Sequence, residues 1–408
     1  MEVKKTWGSI LLALITVIQL AACSKKKDGV TEVSENSACK ARTIAGQYIV
    51  KYLDRRIEKV LAKNDADLFD RVLKGKTHLI EYVERNYSVP LSDAKVEANF
   101  VDDETWGFDA VRAQSVWDQN VFGQGVVVAV VDTGVDTTHP QLQTQLWKNQ
   151  AELNGTPGVD DDGNGFVDDV YGWDFANNVP AKEDDVGHGT HVAGIIAANP
   201  NAGVVKGVAP QAKIMAVDFM NQFGGSDADA VAALEYAANN GAQIINASWG
   251  SAYCSQAVQD KFVELKDRGI FVAVAAGNSG NDITYQPEFP AAYNSPSQLT
   301  VGASTVEFYR AIFSNYGLPV HIVAPGKDIL STVPGWKSPS GYAYMSGTSM
   351  ATPFVAGVAA LLLSYDPVLS YSTIKTAIQR SVAPGHFNVR YNGELRADGA
   401  LEYIKSLP

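Results

Sequence analysis

Three short motifs in this chain of 408 residues carry the side chains that nucleophilic catalysis requires. Asp132 ends an apolar run, His188 stands in Gly-His-Gly-Thr-His, and Ser349 stands in Gly-Thr-Ser-Met-Ala-Thr-Pro. A carboxylate that orients an imidazole, an imidazole that takes a proton and a hydroxyl that attacks are the parts of a serine acyl-transfer site. The motifs therefore predict a catalytic triad in the chain order Asp132, His188, Ser349.

The elements around these residues are predicted to bring them to one edge of a sheet. The uninterrupted apolar run Val126–Val131 is typical of a buried parallel strand, and Asp132 follows its carboxyl end, where α/β sites form. His188 and Ser349 are each predicted to lie where a helix begins, so that free backbone N–H groups favour a developing anion. Pro353 is expected in the first helical turn, since its missing N–H has no partner there.

Alternating strand-like and helix-like segments indicate the fold of residues 102–408. Helices are predicted at His191–Ala198, Asp227–Asn240 and Thr352–Tyr365, with apolar strands between them. This alternation predicts a doubly wound α/β domain, with a mostly parallel sheet and helices on both faces. Residues 44–101 are predicted to form a small α+β domain, with a strand at Gln47–Tyr52 and helices at Asp54–Leu61 and Asp65–Leu73.

Composition excludes some classes of protein. With 45 acidic and 33 basic residues the net charge is −12, which argues against a nucleic-acid partner. The three cysteines are too few for a disulfide framework or a zinc site, and Cys254 is expected to be an inert thiol. His321 is expected to lie at the surface.

The N-terminus has the pattern of an export signal. Lys4 and Lys5 precede the apolar run Trp7–Ala22, and Cys23 follows a Leu-Ala-Ala triplet. Residues 1–22 resemble a bacterial lipoprotein signal, which implies lipidation of Cys23; an ordinary signal peptide with a chance cysteine is the alternative. Residues 23–43 are predicted to be a flexible tether.

The motifs around Asp132, His188 and Ser349, taken together, resemble the subtilisin-like serine peptidases (peptidase family S8). The resemblance implies an exported serine endopeptidase of broad specificity that hydrolyses polypeptides through an acyl-enzyme and acts as a monomer. It implies that Asn278 completes the oxyanion hole and that Thr284 lies near the floor of a pocket for uncharged side chains. The implied substrate-binding residues are Gly224, Gly225, Ser248, Trp249, Gly250, Ala276 and Gly277.

The resemblance also implies maturation from a zymogen. Residues 44–101 would be an inhibitory propeptide, so its removal would convert a membrane-held lipoprotein precursor into a released peptidase. The alternative from another class is an adhesive or binding lipoprotein that keeps the fold without turnover. An acid-active Ser-Glu-Asp relative is disfavoured by His188 and Asn278, and a lipase-type elbow by the Gly-x-Ser-x-Ala context of Ser349.

An acidic loop predicts a structural calcium site. Its spacing matches the start of an EF-hand loop, with oxygen-bearing residues at alternate positions and a glycine at the sharp turn. The closing glutamate of that motif is absent, so Asp168 or Asp169 would complete the shell; a solvated acidic turn is the alternative. The predicted ligands are Asp160, Asp162, Asn164, the Phe166 carbonyl and Asp169.

Overall fold

The computed structural model describes residues 33, 42–91, 95–96 (backbone only) and 105–408. The signal segment, Cys23 and most of the tether lie outside the described residues. The strands are β1 (Thr43–Tyr52), β2 (Ile57–Leu61), β3 (Ile80–Val89), β4 (Lys95–Val96), β5 (Val127–Asp132), β6 (Gly172–Asp174), β7 (Val179–Pro180), β8 (Lys213–Asp218), β9 (Met220–Asn221), β10 (Gly224–Ser226), β11 (Ile244–Ala247), β12 (Phe271–Ala275), β13 (Gln298–Ser304), β14 (Ile322–Pro325), β15 (Ile329–Thr332), β16 (Tyr342–Ser346), β17 (Ala383–Pro384) and β18 (Gly393–Glu394). The α-helices are α1 (Asp65–Leu68), α2 (Trp106–Ala110), α3 (Ala113–Trp117), α4 (Gln150–Asn154), α5 (His188–Ala197), α6 (Asp227–Asn239), α7 (Gln256–Asp267), α8 (Thr348–Tyr365), α9 (Tyr371–Arg380) and α10 (Ala397–Lys405).

The main sheet has ten strands in the order β17-β18-β14-β13-β12-β11-β5-β8-β6-β7. Its strands run parallel from β18 to β6, and β17 and β7 add antiparallel edges. Strand β5 lies between β8 and β11, where the chain changes direction across the sheet. Ligands bind at such a switch point, outside the carboxyl ends of the strands. The predicted doubly wound, mostly parallel fold is confirmed.

Strand β5 shows why helices cover both faces. Val128 and Val130 face a core that includes α5 and α8, whereas Ala129 and Val131 face a second core that includes α6 and α7. All four side chains are fully buried, because successive residues of a strand point to opposite faces and both faces are covered. Helix α8 is long and apolar enough to cross a membrane, but 89% of its most apolar window is buried within the protein.

The N-terminal module packs β1, β2 and β3 as antiparallel strands around a small core with α1. The helix predicted at Asp54–Leu61 is wrong: Ile57–Leu61 is strand β2, paired with β1. Arg55 turns the chain with a φ of 76°, and the long-range pairing outweighs a weak local helix pattern. The helix predicted at Asp65–Leu73 is confirmed, with its second half a π-helical turn.

The N-terminal module contacts the α/β domain through two helix N-termini. The Glu84 carboxylate accepts hydrogen bonds from Ser255 Oγ at 2.8 Å and from the backbone N–H of Ala257 at 3.0 Å, at the start of α7. Asn86 Oδ1 accepts from the backbone N–H of Ala228 at 3.0 Å, at the start of α6. Acceptors at these positions satisfy helix N–H groups that have no intrahelical partner. The module therefore stabilises the helices that it covers.

Candidate active site

Asp132 and His188 form a buried hydrogen-bonded pair at the carboxyl edge of the sheet. Asp132 ends β5, His188 begins α5, and His188 Nδ1 lies 2.7 Å from Asp132 Oδ1. Burial lowers the pKa of His188, but the charge and hydrogen bond of Asp132 outweigh burial, so the pKa lies above its usual value of 6.5. Within the described part of the chain, His188 Nε2 has no hydrogen-bond partner. The pair orients a ring whose second nitrogen can act as a base.

A second buried carboxylate, Asp184, fixes the loop that precedes α5. Asp184 accepts hydrogen bonds from the hydroxyls of Thr133 and Thr190 and from the backbone N–H groups of Gly187 and Val186, all between 2.7 and 3.0 Å. Since Thr133 follows Asp132 directly, Asp184 joins the end of β5 to the start of α5. No sequence pattern predicts this role of Asp184, because nothing distinguishes it from its acidic neighbours in the chain.

Ser349 is the second residue of α8 and is buried. Its Oγ donates to the Ser248 carbonyl at 3.1 Å, and Ser248 Oγ donates to the Ser349 carbonyl at 3.0 Å. The position predicted for Pro353 is wrong: the helix begins at Thr348, so the proline lies inside it. Because proline has no N–H, it cannot donate to the Ser349 carbonyl, and the Ser248 hydroxyl supplies a donor instead.

Asn278 follows β12 and is tied to the start of α8. Its Oδ1 accepts from the backbone N–H of Thr348 at 2.8 Å and from the Thr348 hydroxyl at 3.0 Å. These two bonds hold the carbonyl oxygen of the Asn278 amide. The amide nitrogen Nδ2 lies next to Gly347, because a Cβ atom built on that glycine would be 3.4 Å from it. An N–H donor is thereby held next to the segment that carries Ser349.

Ser349 and Asn278 line a cleft of about 420 Å³. Pro90 and Leu91, which follow β3 of the N-terminal module, line the same cleft, and Leu91 also lies in a smaller cavity beside His188. Of the predicted substrate-binding residues, the structure places four in the lining: Ser248, Trp249, Gly250 and Gly277.

The other predicted substrate-binding residues lie beside the cleft. Gly225 in β10 pairs with Val89 of β3, and a Cβ on Gly224 would come within 2.5 Å of the Val89 carbonyl oxygen. Gly224 has a φ of 95°, so glycine is needed there for the conformation and for the close approach. Ala276 donates its backbone N–H to Val301 and so belongs to the wall behind the cleft.

The acidic loop brings carboxylates together in a different arrangement from the predicted one. Oxygen atoms of Glu152, Asp162 and Asp169 all lie within 4.8 Å of one another. Asp162 and Asp169 belong to the predicted set, but Glu152 comes from α4 and was missed, because a loop spacing cannot show which helix packs against it. Hard oxygen donors such as these are the ligands that Ca²⁺ prefers.

The remaining predicted calcium ligands have other contacts. Asp160 accepts from three backbone N–H groups of its own loop, and Asn164 donates through Nδ2 to Asp162 and Asp169. The ring of Phe166 packs on Tyr236, with the ring centroids 5.0 Å apart.

Two residues outside the cleft differ from expectation. Cys254 is disulfide-bonded, so it is not an inert free thiol. The other cysteines of the chain, Cys23 and Cys39, lie outside the described residues. His321 is fully buried rather than at the surface, and its Nδ1 accepts from the backbone N–H of Thr300 at 3.0 Å. Burial lowers the pKa of His321 well below its usual value.

The parallel sheet and the groups at its carboxyl edge define an α/β protein with the layout of a serine hydrolase. Residues 123–400 match the subtilase family. M-protease of Shouchella clausii is 32% identical, over 97% of this chain and 99% of its own length. Subtilisin Savinase of Lederbergia lenta is 37% identical, over 72% of this chain and 97% of its own length.

A solved structure agrees with these relatives. Fervidolysin of Fervidobacterium pennivorans, described as a keratinolytic enzyme related to subtilisin, has a TM-score of 0.72 and 26% identity, over 89% of this chain and 62% of that one. The chain belongs to the subtilase family. It is a serine-type endopeptidase of the subtilisin kind.

Proposed function

We propose that Ser349, His188 and Asp132 form the catalytic triad of this endopeptidase. The observation that carries the proposal is the 2.7 Å contact between His188 Nδ1 and the buried Asp132 carboxylate, with Ser349 at the start of a helix that packs on α5. His188 Nε2 takes the proton of the Ser349 hydroxyl while Oγ attacks the scissile carbonyl. The protonated ring then gives that proton to the leaving amine, and water hydrolyses the acyl-enzyme.

Asn278 is the proposed oxyanion-hole donor. Its Oδ1 is held by Thr348, which leaves Nδ2 to donate to the tetrahedral oxygen together with the backbone N–H of Ser349. These donors are in place before the reaction, so they need no reorganisation when the negative charge develops. Gly224, Gly225, Ser248, Trp249, Gly250, Ala276 and Gly277 are the proposed binding residues for an extended polypeptide.

The N-terminal module is the proposed intramolecular inhibitor. The pairing of Val89 with Gly225 and the position of Leu91 beside His188 support this role, since a segment that occupies the cleft excludes substrate. We propose that the propeptide spans residues 44–101 and the catalytic domain residues 102–408. Cleavage between them would convert the zymogen into a mature, monomeric peptidase.

The acidic loop is proposed to bind a structural Ca²⁺. The donor set fits that ion, because the carboxylates of Glu152, Asp162 and Asp169 lie within 4.8 Å of one another. Bound calcium would neutralise their repulsion and hold α4 against the loop. Asp160, Asn164 and the Phe166 carbonyl are the further ligands proposed from the loop spacing.

The enzyme is proposed to be exported as a lipoprotein precursor, with Cys23 lipidated. Removal of the propeptide would then separate the catalytic domain from the lipid, so that a membrane-held zymogen gives a released mature peptidase.

Labelling with a serine-directed fluorophosphonate tests the proposed function. We expect the self-processed full chain to take up the probe and to cleave a peptide library, and Ser349→Ala to do neither. Loss of the nucleophile costs a subtilisin about 2 × 10⁶-fold in kcat. Ser340→Ala, in an exposed turn, is the matched control and should leave both readouts unchanged. A folded protein that binds peptides without labelling or cleavage would support the non-enzymatic alternative instead.

A further inference from the structure

The loop between β15 and β16, residues 333–341, packs against the segment that precedes α5. It is closed by the backbone N–H of Val333, which donates to the Gly341 carbonyl at 2.8 Å. Within the loop, the backbone N–H of Lys337 donates to the Pro334 carbonyl at 2.9 Å. These bonds give the loop a defined backbone conformation, from which the side chain of Lys337 extends.

Two side chains of this loop donate hydrogen bonds to carbonyls of the segment before α5. Trp336 donates through Nε1 to the Asp184 carbonyl at 3.2 Å. Lys337 donates through Nζ to the Val186 carbonyl at 2.6 Å, and its side chain is half-buried, whereas the indole is 63% exposed. Because Asp184 and Val186 lie closely before His188 in the chain, these bonds hold the backbone that places the ring.

The stem of Lys337 lies directly on Gly187, the residue before His188. A Cβ atom on Gly187 would lie 2.6 Å from Lys337 Cδ, and the backbone of this glycine has a φ of 80°. Both the close approach and the conformation require glycine. Gly187 is also the N-cap of α5. The lysine is therefore packed against the first turn of the helix that begins with His188.

The ammonium group of Lys337 brings a positive charge close to the catalytic pair. Lys337 and His188 line the same cavity, which has a volume of about 60 Å³. No ion pair between described residues includes Lys337, so no carboxylate cancels its charge by direct contact. The Val186 carbonyl takes one of the three ammonium donors and carries no net charge. The charge of Lys337 therefore acts on the neighbouring imidazole.

The groups that face His188 have opposing effects on its pKa. Burial lowers the pKa, the Asp132 carboxylate raises it through its charge and its hydrogen bond, and the more distant Asp184 carboxylate also raises it. The Lys337 charge lowers it. His191, the other histidine of α5, is itself buried, and burial lowers its pKa to about 3. Asp184 favours the charged form of Lys337, against the effect of burial on that lysine.

The stability of α5 does not account for a lysine at this position. The N-terminus of a helix carries a partial positive charge, so a cation next to it is unfavourable. Lys337 lies on the N-cap of α5 and is partly removed from water. A neutral donor would bind the Val186 carbonyl without either cost. The charge itself therefore requires an explanation.

We propose that Lys337 is a positioning residue of His188, which acts by holding the loop before the ring and by placing a positive charge beside it. The inference rests on the proposed function, because His188 must be the general base for either effect to change the reaction. The bond to the Val186 carbonyl limits movement of the ring relative to Ser349. The charge repels a proton on the ring, so the neutral form persists to lower pH. Lys337 takes up no proton from the substrate and acts only through His188.

The test measures kcat and kcat/KM of the self-processed full chain against pH, with a peptide p-nitroanilide. Lys337→Met keeps the length of the stem but removes the charge and the donor. We expect the pKa of the acidic limb to rise by about 0.5, the effect of one charge across a partly buried site. At the alkaline plateau kcat should fall about five- to tenfold with KM little changed, because a displaced base slows the reaction. Lys337→Arg keeps the charge and the donors and should restore both values.

A control and a second measurement complete the test. Lys182→Met removes the same charge from an exposed position shortly before Asp184 and should change neither value. The second measurement does not depend on catalysis: the ¹⁵N chemical shifts of the His188 ring are followed against pH in the inactive Ser349→Ala chain. With Lys337→Met added, the ring should take up its proton at a higher pH.

The outcomes separate this inference from the proposed function. If Lys337→Met leaves the pKa of the acidic limb and the titration of the His188 ring unchanged, Lys337 has no such role and the triad stands. An equal rise in Lys182→Met would also overturn the inference, since it would show an effect of net charge alone. If the unmodified chain neither labels with fluorophosphonate nor cleaves peptides, the proposed function fails, whereas the ring titration still decides whether Lys337 acts on His188.

Discussion

Carboxylates are clustered in two regions of this molecule, and the regions differ in whether a cationic side chain accompanies them. Beside the cleft, Asp132 and Asp184 are both buried, and each accepts hydrogen bonds from groups of the protein. In the acidic loop, Glu152, Asp162 and Asp169 face one another within 4.8 Å. Their donors are backbone N–H groups, asparagine amides and a tyrosine hydroxyl.

The difference lies in what balances the negative charge. His188 supplies a positive charge to Asp132 whenever it is protonated, whereas no ion pair between described residues includes a carboxylate of the loop cluster. Neutral donors solvate a charge but do not cancel the repulsion between neighbouring charges. Asp132 is therefore balanced by a partner within the protein, whereas the loop cluster is the place where we propose that a cation from solution binds. This comparison yields three predictions, in decreasing order of effect.

Removal of the Asp132 charge beside His188 should have the largest effect of the three, a loss of catalytic activity. In Asp132→Asn the side chain keeps its size but stabilises the wrong tautomer of the ring, so His188 no longer accepts the serine proton efficiently. A loss of about 10⁴-fold in kcat is expected, as found for a triad aspartate in other serine peptidases. The measurement is steady-state hydrolysis of a peptide p-nitroanilide.

Asp136→Asn is the control for that variant. Asp136 lies in the same loop, but its carboxylate accepts hydrogen bonds from Thr138 and does not contact His188. We expect activity within a few-fold of the unmodified enzyme. Equal losses in the two variants would show that the loop as a whole, rather than the Asp132–His188 contact, limits the reaction.

Calcium should change stability rather than chemistry. At free calcium about 100-fold above its dissociation constant, binding would add about 2.7 kcal/mol to the free energy of unfolding. For a domain of this size that corresponds to a rise in Tm of about 5 °C over the same protein in chelator. Differential scanning fluorimetry of the inactive Ser349→Ala chain measures this without self-digestion.

Two variants sharpen the calcium test. Glu152→Gln should reduce the calcium-induced rise in Tm, because it removes one ligand charge, whereas Glu183→Gln, an exposed acid outside the cluster, should leave the rise intact. A Tm that is the same in calcium and in chelator would contradict the comparison between cleft and loop. If Glu152→Gln does not reduce the rise in Tm, the protein binds calcium but Glu152 is not one of the ligands.

The two regions also differ in how much of them the sequence predicts. The triad motifs and the alternation of strands and helices are local patterns, so the sheet, the helices and the positions of Asp132, His188 and Ser349 follow from them. Asp184 and Glu152 act through contacts between separate segments, which no spacing along the chain encodes. The strand at Ile57–Leu61 was missed for the same reason, since its partner β1 decides its conformation.

The smallest predicted effect is a shift in the pH profile. Catalysis needs neutral His188, and the Asp132 carboxylate, despite the opposing effect of burial, holds the pKa of that ring above 6.5. We therefore expect kcat/KM to fall as the pH drops through a pKa above 6.5 and to level off on the alkaline side. In Asp132→Asn the residual activity should show a lower pKa, because the attraction that favours the charged ring is gone while the burial that opposes it remains. An unchanged pKa in that variant would mean that another group, and not the contact between Asp132 and His188, sets the protonation of the cleft.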